Sequence, residues 1–233
     1  MSIKKKVFAV AATMTMVGGV SAVGLLPAVA STPSCGGNCI TSFPETFGPP
    51  FVLDVLRQGE KAGQPIILFR ASDSDPAEDF TYSEQGTVDD FNAAGLVSNA
   101  LALQYGTDEA YELEYAPYGV DSGLCMGVGS TAGDGTPVAL EPCGASSKTV
   151  WVADAADGGK GYYPAINGSD TNFSHPYVLH YPGNGYPTDM PRPQLTTYML
   201  QTYSDGTYYN NEMWTNIAPR CGAVPLSGLA PLC

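Results

Sequence analysis

The sequence predicts an all-β domain assembled from three degenerate copies of one unit. Three observations carry this. Short runs of Val, Ile, Leu, Phe and Tyr alternate with turn clusters, and 27 Gly and 19 Pro punctuate the chain so often that no long amphipathic helix can be placed after residue 30. A three-part pattern recurs three times in the same internal order. Two cysteines fall at equivalent places in one copy and are absent together from the other two.

The first part of each copy is a short apolar segment: Val52-Leu53-Asp54-Val55, Cys125-Met126-Gly127-Val128 and Val178-Leu179-His180-Tyr181. The second follows a Gly- or Pro-containing turn and ends on Leu. It reads Gly63-Gln64-Pro65-Ile66-Ile67-Leu68, then Gly135-Thr136-Pro137-Val138-Ala139-Leu140, then the looser Pro191-Arg192-Pro193-Gln194-Leu195. The third part ends on a large aromatic: Glu78-Asp79-Phe80, Thr149-Val150-Trp151 and Glu212-Met213-Trp214. From first segment to Leu the spacing is 16 positions in copy one and 15 in copy two; from Leu to aromatic it is 12 and 11. Copy three is stretched, with 19 positions from Leu195 to Trp214. Long stretches around Thr81 to Gly119 and Val152 to His175 stand between the parts as insertions.

All six cysteines lie beyond residue 30, and an even number in an exported chain implies disulfides rather than zinc. Cys125 opens the first segment of copy two and Cys143 lies three past Leu140; Val52 and Ala71 stand there in copy one. A pair kept or lost together predicts a bond within one repeat, whose closed loop is worth roughly 3 kcal/mol. Cys35, Cys39, Cys221 and Cys233 can pair locally or end to end in three ways, and the sequence does not choose among them.

These motifs resemble the ricin-type β-trefoil lectins, whose repeat runs C-L-D-V, then G-x-x-V-x-L-W-x-C, then Q-x-W. Exported actinobacterial proteins of unknown function have a similar layout. The resemblance covers about Phe51 to Trp214 and implies a β-trefoil of twelve strands. In that family the Asp of the first segment accepts sugar hydroxyls, the aromatic after the Leu stacks on the ring, and a polar residue near Q-x-W completes the pocket. Copy one keeps such a set in Asp54, Phe69 and Glu78. Copy two has Gly127 and Glu141 at the matching places, and copy three has His180 and Thr196, so neither is expected to bind.

The start of the chain predicts export. Lys4, Lys5 and Lys6 precede an uncharged run from Val7 to Leu26, and Ala28-Val29-Ala30 is a small-residue cleavage site. Residues 1–30 are therefore expected to be a signal peptide and 31–233 a single domain, secreted and extracellular. The leader takes three of the ten Lys and Arg, which leaves seven bases against 23 acids, a net charge of −16. Such an acidic chain repels phosphate backbones and anionic lipids, so neither nucleic acid nor membrane is an expected partner.

Little points to chemistry. The acidic run Asp73 to Asp79 departs from the EF-hand pattern at Ala77 and Glu78. No G-x-S-x-G, H-E-x-x-H or P-loop occurs, neither His175 nor His180 has a supporting motif, and nothing marks a pair among the acids for glycoside hydrolysis. The expectation is a secreted, monomeric, carbohydrate-binding protein without catalytic residues, metal or cofactor. Its alternative is a structural or inhibitor-type trefoil that has lost sugar binding.

Overall fold

Alternating apolar and polar residues on either side of a glycine turn fold into a hairpin, because one face finds a core and the other finds solvent. The computed structural model describes residues 40–42, 51–72, 75–154, 161–182 and 192–215. The expected leader and Cys35, Cys39, Cys221 and Cys233 lie outside these. The described residues hold twelve strands, four per copy. Copy one has β1 (Thr41–Ser42), β2 (Phe51–Val55), β3 (Ile66–Arg70) and β4 (Phe80–Thr87). Copy two has β5 (Glu109–Tyr115), β6 (Leu124–Val128), β7 (Thr136–Pro142) and β8 (Val150–Ala153), and copy three has β9 (Ala165–Asn167), β10 (Tyr177–His180), β11 (Thr196–Met199) and β12 (Trp214–Thr215).

Six of these strands wall a barrel. β5 pairs with β4 and β8, β8 with β9, and β12 with β1, while Tyr163 just before β9 bridges to Trp214. The other six form three hairpins, β2–β3, β6–β7 and β10–β11. The hairpins close on one another in a ring. Pro65 bridges to Ala139, Pro137 pairs with Thr196, and Gln194 bridges back to Ile67. Leu140 N donates to Gln64 O, Val138 N to Leu195 O, and Leu195 N to Ile66 O, each at 2.9 Å. This is a β-trefoil.

One core fills the barrel, and equivalent positions of the three copies supply it. Leu53, Met126 and Leu179 share one level, with Leu68 and Leu140 across the hairpins in the first two copies. Val55, Val128 and Tyr181 share the next, opposite Ile66, Val138 and Leu195. Trp151 and Trp214 are fully buried, and their indole N–H groups donate to Met126 O and Leu179 O, both at 2.9 Å. These two acceptors are the same position of two copies. Copy one ends on Phe80, which has no N–H to give. Cys125 and Cys143 are bonded as the repeat argument predicts, their Cα atoms 4.9 Å apart.

Two expectations need correction. The stretch Thr81 to Gly119 is not wholly insertion, since it contains most of β4 and all of β5. Polar side chains disguise them: Thr81, Ser83, Glu84 and Gln85 are exposed at the barrel rim, and Glu112 and Glu114 alternate with the core residues Tyr111, Leu113 and Tyr115. Likewise β8 and β9 run into the stretch read as Val152 to His175. The second correction is a register. Leu179 faces Thr197, so Thr197 and not Leu195 occupies the place of Leu68 and Leu140. A two-residue slip keeps the face, and Leu195 is still core. The buried Thr197 is tolerated because its hydroxyl donates to Gly133 O at 2.7 Å and accepts from Gly133 N at 3.3 Å.

The true insertion is a pair of short helices, α1 (Val88–Ala93) and α2 (Asn99–Tyr105). Thr87 and Asp90 form a reciprocal capping box on α1, and Ser98 caps α2 through Leu101 N. Their apolar sides bury Val88, Phe91, Leu101 and Tyr105 against Val150, Val152, Ile166 and Val178, which face out of the barrel. A second core thus lies outside the first.

Trp151→Phe and Trp214→Phe should each lower unfolding free energy by about 1–3 kcal/mol, because each leaves a buried carbonyl without its donor. Urea titration followed by circular dichroism measures this; Phe80→Tyr, which removes no bond, is the comparison.

Candidate functional site

The outer face of the β2–β3 hairpin gathers the residues the sequence singles out. Leu53 and Leu68 point into the barrel, so Asp54 and Phe69 point out. Asp54 lies opposite Ile67, and Phe69 sits diagonally from it on the same face. Phe69 is half-buried, and the exposed Arg192 lays its guanidinium 4.8 Å from the ring centroid. Arg192 arrives because Pro193 O accepts from Leu68 N, which runs this segment along β3. Sequence reasoning used Arg192 only as part of a loose repeat; its meeting with Phe69 follows from ring closure and has no local mark.

Asp54 is 5% exposed and Glu78 2%. Carboxylate oxygens of Asp54, Asp75 and Glu78 lie within 4.8 Å of one another. Burial pushes the Asp54 carboxyl up to about 7; Asp75 adds to this and Arg192 opposes it. Burial also pushes Glu78 up to about 7, against the Ser72 N–H that both its oxygens accept. Burial thus disfavours the charged form of both carboxyls, and the nearby Asp54 charge adds to the effect at Glu78. Asp75 is held by Ala77 N and Gln58 Nε2, each at 3.0 Å. Asp54 therefore forms the floor of the site, Phe69 and Arg192 one side, and Glu78 the support beneath.

The Glu78 contact recurs around the pseudo-threefold. In copy three Glu212 accepts from Gln201 N at 2.8 Å, as Glu78 does from Ser72 N. In copy two Thr149 stands at that position and donates to Glu112, whose carboxylate accepts from Gly144 N at 3.0 Å. In every copy a carboxylate fastens an amide just past the second hairpin strand. Glu78 thus has a structural duty whatever the site binds.

The matching places in the other copies are filled. A Cβ at Gly127 would lie 2.9 Å from Thr149 Cγ2 and 3.0 Å from Lys148 O, so no Asp fits there. In copy three the register correction puts Tyr198, rather than Thr196, at the place of Phe69. His180 packs on it, centroids 5.0 Å apart. His180 Nε2 accepts from Asn211 Nδ2 at 2.9 Å, which leaves Nδ1 to donate to Thr196 Oγ1 at 3.2 Å. Burial pushes this imidazole down to about 4, with Asp134 opposing, so it is neutral at physiological pH. Copy three keeps the aromatic but spends it on its own histidine.

No family model matches the sequence, and no curated protein matches it. Solved structures similar to it include the following two. One is a designed threefold-symmetric protein, ThreeFoil, at 16% identity and TM-score 0.47, covering 76% of this chain and 94% of that one. The other is a mosquitocidal holotoxin at 10% identity and TM-score 0.46; the match covers 77% of this chain and 17% of the toxin.

The fully buried Glu212 gives a pH prediction. Its carboxyl rises from 4.5 to about 8 through burial, against the Gln201 N–H. The folded state then binds this proton more tightly than the unfolded state, so Glu212 subtracts stability as pH climbs from about 4.5 to 8. Glu212→Gln should flatten this part of the stability curve, and the variant's deficit relative to the parent should shrink between pH 5 and pH 8. Denaturant titrations at four pH values provide the check.

Proposed function

We propose that the protein binds carbohydrate, without catalysing a reaction, through the outer face of its first hairpin. The observation that carries this reading is the grouping of a buried carboxyl, an aromatic ring and a guanidinium on one exposed face: Asp54, Phe69 and Arg192. A sugar offers neighbouring hydroxyls and an apolar C–H face, and recognition needs an acceptor, a donor and a ring in reach of one another. Asp54 accepts from one hydroxyl, Arg192 donates to the next, and Phe69 receives the C–H face where Arg192 leaves it open. Glu78 holds the loop beneath through Ser72 N and keeps a second carboxyl near Asp54. Export through residues 1–30 would bring this face to polysaccharides outside the cell.

A second reading is a trefoil that serves as a scaffold or inhibitor after losing sugar binding. The filled places of copies two and three favour it, since the same drift could have silenced copy one.

A polysaccharide and glycan-array screen separates the two. Binding should be weak for a lone site, and it should fall at least about tenfold in Asp54→Ala and in Arg192→Ala, as expected when a charged hydrogen-bonding group is removed. His180→Ala should leave it unchanged. Absence of binding across the screen, or binding indifferent to Asp54→Ala, would favour the scaffold.

A further inference from the structure

A cavity of about 450 Å³ lies away from the hairpin faces, where the helical insertion meets copy three. Its wall comes from three places: Tyr105 and Asp108 at the end of α2, Asp154 after β8, and Phe173 with Tyr208 from the loops flanking β10 and β11. No repeat motif reaches it. The volume is that of a small-molecule site, and the lining joins aromatic rings to carboxylates.

The backbone fixes this lining. Asp108 N donates to Tyr105 O at 2.8 Å, which turns the chain sharply at the end of α2. Asp154 N donates to Pro164 O at 3.2 Å, and Asp154 is 4% exposed. Tyr105 and Phe173 meet edge to face, centroids 6.5 Å apart and planes at 69°. Both rings, with Tyr208, belong to the second core, so they are held from behind.

Charge decides the ligand class. Two carboxylates line the cavity, and among the described lining residues there is no Lys or Arg; His175, also in the lining, is exposed. Burial raises the Asp108 carboxyl above its ordinary value, the direction an arriving cation would reverse. Aromatic walls attract a cation through their ring faces and offer apolar surface to the carbon frame that carries it. An anion would meet two carboxylates and a chain of net charge −13.

We propose that this cavity binds a small organic cation, with its ammonium group taken by Asp108 and Asp154 and its carbon frame against Tyr105, Phe173 and Tyr208. The ammonium can come from an amino sugar or from an alkylammonium compound; the chemistry recognised is the same. The inference does not depend on the hairpin site.

Calorimetric titration of the purified protein with glucosamine, choline and glucose tests it, with NMR amide shifts to locate binding. At least one cation should bind about tenfold or more tightly than glucose and move Gln104, Tyr105 and Phe173. Asp108→Asn should weaken that binding by a similar factor at unchanged melting temperature, and Asp54→Asn should not affect it. Binding by glucosamine alone assigns a hydroxylated frame, by choline alone an alkylammonium frame, and by both the ammonium itself. The proposal is overturned if neither cation binds, if glucose binds as well as the tighter of the two cations, or if the shifts cluster at the first hairpin. It is equally overturned if Asp108→Asn and Asp154→Asn both leave affinity intact. Loss of sugar binding in Asp54→Ala with cation binding retained would show that the two sites stand or fall separately.

Discussion

The ring of three hairpins is the constraint on which the rest depends. Each hairpin alone is two strands with one apolar face, too little to be stable in water. Ring contacts between Pro65 and Ala139, Pro137 and Thr196, and Gln194 and Ile67 pair each hairpin with both others. Their apolar faces then cover the barrel core together. The same pairing aims the alternate residues outward, so Asp54, Gly127 and His180 occupy one outer position in three copies. It also draws the segment before β11 along β3, which is how Arg192 reaches Phe69. Core and candidate site are two faces of one arrangement.

The three copies show what drift does under that constraint. Backbone contacts have stayed, while side chains have exchanged roles. The carboxylate that fastens the amide past the second hairpin strand comes from the Q-x-W position in two copies and from β5 in the third, with Thr149 as go-between. A buried Leu has become Thr197, satisfied by Gly133. An indole that anchors two copies has become Phe80 in the other. The Thr197 exchange satisfies the hydroxyl it buries, which is the condition for tolerating it. Outer positions diverge most: a buried carboxyl among other carboxyls at Asp54, backbone and a Thr methyl beside Gly127, and a ring pair at His180.

Much of this was legible in the sequence because repetition marks the fold. The hairpin segments, the closing aromatics and the Cys125–Cys143 bond all follow from the pattern. The barrel strands β4 and β5 were not legible. Their outward residues are Thr, Ser, Glu and Gln, so two well-formed strands read as a polar insertion, although Tyr111, Leu113 and Tyr115 alternate correctly within one of them. The slip in copy three has a related cause: Leu195 is a core residue two positions from the one sought, and a period of two gives no warning when the error is itself two. Arg192 and the cavity beside α2 lay beyond reach for a different reason. Both are made by contacts between distant segments, and no local pattern encodes those.

The ring also sets the order in which the molecule can assemble. Its contacts join residues far apart in the chain, about 60 to 130 positions, and the last of them needs Gln194. Chains whose stabilising pairings are this distant fold slowly, since the entropy of closing long loops precedes any gain from the contacts. Copy one can meet copy two early through Pro65 and Ala139, but the ring cannot close until copy three is present. In a chain of this design the contacts that complete the ring are the last that the order of the sequence allows, so the closing step joins the two ends of the repeat array.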